Sequence, residues 1–140
     1  MKPFQLALLL LAASAAVVSA PEARGAVVEL RAGTAAVFGW VVDDADHVCG
    51  IRHPGHISNP ATVDFRRAMS STEEMKRLKR DGIDPNSARG QALTNAAKRR
   101  VRDAASTVKD NLGHCSVWKS IRHTDGRSVA DITDQVISAF

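Results

Sequence analysis

The stretch over residues 61–80, ATVDFRRAMSSTEEMKRLKR, constrains the fold more than any other part of the chain. Ala61, Thr62 and Val63 read as a strand of minimal length, and Asp64 directly behind them can cap a helix. Phe65, Ala68 and Met69 supply one turn of apolar helical spacing. Ser71 followed by Glu74 forms a capping box, in which hydroxyl and carboxylate each satisfy a free backbone N–H. A helix is expected from there to about residue 80, with Met75 and Leu78 facing inward. Asp81-Gly82 ends it. Asp84-Pro85 then starts another, with aspartate as N-cap and proline at the first helical position.

That next helix is long. Leu93, Ala97, Val101, Ala104, Ala105, Val108 and Leu112 recur every three to four residues, and basic residues cover the other sides. About 27 residues would reach roughly 40 Å before Asn111 and Gly113 stop it. Its stripe is narrow and alanine-rich, suited to one close neighbour. Residues 115–121, CSVWKSI, alternate as a strand, and Asp131-Ile132-Thr133-Asp134 leads into a final helical turn bearing Val136, Ile137 and Phe140. Upstream, residues 26–30 and 35–42 read as two strands around Gly33-Thr34, and residues 50–60 have loop chemistry. The fold class is α+β: a small β-core with an antiparallel helical hairpin over about residues 65–112.

The first residues read as an export signal. Lys2 precedes an apolar run over residues 6–18 that is short for a bilayer span, and Val18-Ser19-Ala20 is the best cleavage box. Residues 1–20 are therefore a signal peptide, which leaves about 120 residues, enough for one domain. Charge is uneven: residues 65–110 carry 12 basic and 6 acidic side chains, whereas residues 21–64 carry 3 and 6. Basic helices beside an acidic head attract anionic partners at long range. Two cysteines, Cys49 and Cys115, in an exported chain predict a disulfide worth about 3–4 kcal/mol in chain-entropy terms.

Other chemistries find weaker footing. His47, Cys49, His53 and His56 fall within ten residues and form the rival reading, a secreted metal-binding domain. No regular ligand spacing supports it, and no cofactor is called for. A cysteine nucleophile would need activation by His47 or His114, but neighbouring strand residues point to opposite faces. There is no serine nucleophile elbow or glycine-rich phosphate loop, so no enzyme is expected. The run Lys98-Arg99-Arg100-Val101-Arg102 suggests nucleic acid. Export argues against that, as does the lack of aromatic platforms: Trp40 and Trp118 sit in strand contexts and read as core.

Ala61-Thr62-Val63-Asp64 entering Phe65-Arg66-Arg67-Ala68-Met69, then Ser71-Thr72-Glu73, resembles the Skp/OmpH-like family of periplasmic chaperones. Ser116-Val117-Trp118 is similar to the family's strand after its hairpin, and Asp131-Ile132-Thr133-Asp134-Gln135-Val136-Ile137 to its C-terminal ending. The resemblance covers residues 61–140 and leaves residues 21–60 as an N-terminal strand and loop extension. It implies a periplasmic or secreted homo-oligomer, a trimer, whose projecting hairpins hold unfolded outer-membrane proteins and meet anionic membrane surfaces. Arg66, Arg67, Lys76, Lys79, Arg80, Arg99 and Arg102 are the partner-binding candidates, and no residue is catalytic. The arms are much shorter than in the family.

Overall fold

Short β-rich segments separated by turns can bury little surface singly, and here they assemble into two small sheets. A computed structural model of the chain describes residues 34–37 and 39–140; the signal peptide expected over residues 1–20 and the strand expected over residues 26–30 lie outside them. The first sheet has the order β1-β2-β6, from β1 (Thr34–Val37), β2 (Trp40–Asp43) and β6 (Ile121–His123), all antiparallel. The second has the order β3-β5-β4-β7, from β3 (His47–Gly50), β4 (Pro60–Thr62), β5 (Ser116–Trp118) and β7 (Ala130–Asp131). In it β3 runs antiparallel to β5, while β4 is parallel to both β5 and β7.

A parallel neighbour requires a crossover, and the helices supply it. Helices α1 (Phe65–Ser71) and α2 (Glu73–Arg80) lead away from β4, and α3 (Ala88–Leu112) returns to β5. The last element is α4 (Thr133–Ser138). One face of the larger sheet presents Val48, Ala61 and Val117, with Val63 just beyond β4, to Ala68, Val101, Ala104, Ala105, Val108 and Val136 of the helices. Small side chains on both sides let α3 approach the sheet closely. The opposite face is built from large side chains: Trp118 is fully buried with Trp40, Val42, Ile57 and Ile121. Both indoles are satisfied, Trp40 Nε1 by the Ile57 carbonyl at 3.0 Å and Trp118 Nε1 by Ser116 Oγ at 2.9 Å. The chain is a small α+β fold, as its patterning implies.

Several expectations shift by a few residues. The strand over residues 35–42 is a hairpin of β1 and β2, because Gly39 takes φ +87° and reverses the chain. The strand over residues 115–121 is divided: Lys119 and Ser120 bend out of β5, and Ile121 starts β6 in the other sheet. Ser71 does not begin a capping box. Its hydroxyl donates to the Arg67 carbonyl, and Thr72, fully buried, caps α2 by accepting from Met75 N–H. Asp84 closes a turn onto Asn86 N–H instead of capping a helix, so α3 starts at Ala88 behind the Ser87 cap. The Asp84 turn lies so close to Gly90 that a Cβ there would stand 2.1 Å from the Asp84 carbonyl oxygen. Strand β3 has no clear sequence signal, since His47, Cys49 and Gly50 are poor advertisements for a strand.

Candidate partner-binding surface

All seven basic candidates are exposed, but they fall into two groups. Three are engaged with carboxylates: Arg67 Nη2 with Asp134 at 2.7 Å, Lys76 with Glu73 at 2.8 Å, and Arg80 with Asp81 at 3.5 Å. Each is an exposed pair of small energetic weight. The other four, Arg66, Lys79, Arg99 and Arg102, make no ion pair among the described residues. Arg66 borders a groove of about 550 Å³ beyond the C-terminal ends of β4, β5 and β7, together with Asp64, Lys119, Ser120 and Asp131. No sequence signal announces that groove, because sheet topology assembles it from segments more than 50 residues apart.

Arg100, absent from the candidate set, makes a two-pronged ion pair between two helices. Its Nε and Nη2 reach both oxygens of Glu74 at 2.6–3.1 Å, tying α3 to α2. Those hydrogen bonds hold the Glu74 carboxyl below the ordinary carboxylate range. Glu74 in the first turn of its helix, with an arginine-rich helix to follow, was the available signal, but its partner could not be chosen from the run 98–102 without the register of α2 against α3.

The cysteine expectation is corrected. Cys49 and Cys115 are both free thiols, with no disulfide between them. They do reach neighbouring segments, since β3 pairs with β5 and Ile51 N–H donates to the Cys115 carbonyl at 3.0 Å. Their side chains, however, go to opposite faces of the sheet: Cys49 packs against the helix-covered core and Cys115 against the Trp118 cluster. Burial pushes the Cys49 thiol up. Burial also works to raise Cys115, but hydrogen bonds from Ser116 and the backbone at Ser58 and Asn59 outweigh it and bring that thiol down.

The rival metal set does not converge either. His47 meets Trp118 edge-on at 4.9 Å between ring centroids, with Nε2 3.2 Å from the Gly50 carbonyl oxygen. His53 Nδ1 accepts from Gly55 N–H and caps a single 3-10 turn, with the His56 ring 5.0 Å away. Cys49 faces the core. Among the described residues no three His, Cys, Asp or Glu side chains are grouped to hold a metal ion. Comparisons with protein-family models, with curated proteins and with solved structures found no match to this chain.

Proposed function

We propose that the chain works in the cell envelope as a chaperone or assembly factor of Skp/OmpH-like type, holding unfolded or membrane-bound protein partners without catalysis. The observation that carries this reading is that exposed cations on α1, α2 and α3, among them Arg66, Lys79, Arg99 and Arg102, lack a carboxylate partner among the described residues. Unneutralised cations on a helical pair attract acidic protein segments and anionic surfaces over about 10 Å at ordinary salt. Arms of this length suit contact with a client segment: α2 has 8 residues and spans about 12 Å, too little to enclose a domain. Self-association, a trimer by the resemblance, would multiply such weak contacts.

The test combines light scattering with an aggregation assay on the purified mature protein. An oligomer that delays aggregation of a diluted, unfolded outer-membrane protein supports the reading. A monomer that leaves the aggregation time unchanged overturns it.

A further inference from the structure

Helix α3 carries two basic flanks on either side of its buried stripe. Arg100, on one, is bound to Glu74. Lys98 and Arg102, one turn apart on the other, are exposed and make no ion pair among the described residues. Helix α3 itself packs against β3, an edge strand of the larger sheet. Arg52, just past β3, is likewise exposed and without an ion pair among the described residues. Burial pushes the nearby His47 imidazole below the ordinary histidine range, and the charges of Arg52 and Arg102 add to that, against Asp44 and the Gly50 carbonyl.

A second, independent feature marks the same seam. The exposed large hydrophobic side chains among the described residues are Ile51, 39% exposed, and Leu112, 48% exposed. Leu112 ends α3, and Ile51 is bonded through its N–H to Cys115, three residues further on. Both therefore lie at the base of the basic flank. Gly50 keeps this corner tight: its φ is +89°, and a Cβ would stand 2.5 Å from the Cys115 carbonyl oxygen.

We infer that the seam between α3 and β3, with Lys98, Arg102 and Arg52 as cations and Ile51 and Leu112 as apolar anchors, is a docking surface for an extended polypeptide segment of acidic and apolar residues. Charge complementarity selects the acidic character, and the two exposed anchors select the apolar one. The distance from Lys98 to Leu112 along α3 is about 21 Å, which about six extended residues would cover. No aromatic platform lies on this flank for stacking bases, since both tryptophans are in the core. This inference rests on the proposed client-holding role and names the surface that performs it.

The experiment is fluorescence anisotropy on the mature protein with a labelled peptide of about eight alternating glutamate and leucine residues. Saturable binding that weakens about tenfold in an Arg52→Glu/Arg102→Glu variant, and several-fold in Ile51→Ser/Leu112→Ser, is expected, with Arg122→Glu on β6 binding as the parent does. Circular dichroism checks that each variant is folded; should a pair fail to fold, Arg52→Gln and Leu112→Ser singly take its place. Equal binding by all variants overturns the inference, as does binding to anionic phospholipid vesicles with none to the peptide. Retained aggregation suppression in folded Arg52→Glu/Arg102→Glu sinks the seam and leaves the chaperone reading standing. Peptide binding without aggregation suppression in the parent does the reverse.

Discussion

The two flanks of α3 carry the same kind of residue into different circumstances. On one, Arg100 is locked to both oxygens of Glu74 and holds α2 in place. On the other, Lys98 and Arg102 stand exposed with no carboxylate to meet them among the described residues. Between them runs the stripe of Ala97, Val101, Ala104, Ala105 and Val108 that fastens the helix to the core. An arginine count treats all of these cations alike. Pairing separates a cation that builds the fold from one that remains available to another molecule.

The comparison breaks most completely through the stripe itself. Val101→Asp would place an unpaired carboxylate at a position with 0% exposure, at a cost above about 3 kcal/mol. Both flanks should be lost together, seen as the absence of a cooperative melting transition in circular dichroism. Gly90→Ala acts only on the first turn of α3: the new methyl meets the Asp84 carbonyl, and denaturant titration should show a loss of about 1–3 kcal/mol. Thr72→Val removes the hydroxyl that caps α2 and leaves Met75 N–H without it, at about 1–2 kcal/mol in the same titration.

Two smaller changes sharpen the contrast. Glu74→Gln should cost about 0.5–1 kcal/mol at neutral pH, the range of a solvent-screened pair. Because the carboxyl is depressed in the folded state, that contribution is present above its unfolded value near pH 4.3 and fades as pH falls through the folded one. Parent and variant should therefore converge in acid. A gap that persists or widens there would mean that Glu74 acts by packing. Arg102→Gln, on the other flank, should leave the melting midpoint unmoved at neutral pH and above, since no ion pair among the described residues is lost.

Local chemistry made much of the fold readable. The strand at Ala61, the Asp64 cap, the ends of α2 and α3 at Gly82 and Gly113, and the terminal helix with Val136 inward all follow from neighbouring residues, and they stand where their signals place them. Readability fell where a decision depended on distant partners. Thr72 outcompetes Ser71 as cap because it can be buried at the α1–α2 junction, and Ile121 leaves β5 because β2 is there to receive it. The cysteines show the limit best. Their even number suggested a bond, and their segments do lie side by side, but whether two thiols meet depends on which face each side chain takes. Strand β3 also carries a register irregularity between His47 and Cys49 that no composition announces. For the surface, exposure of the basic residues was legible, and their pairing was not.

The central claim is that unpaired cations on the helices capture protein partners. The direct measurement is the affinity of the mature protein for a labelled, unfolded outer-membrane protein, titrated from low to high salt by anisotropy. Binding that weakens about tenfold or more as the screening length shrinks from about 30 Å to about 3 Å is the predicted result. Affinity that stays flat across that range, or no binding at any salt, would contradict the account.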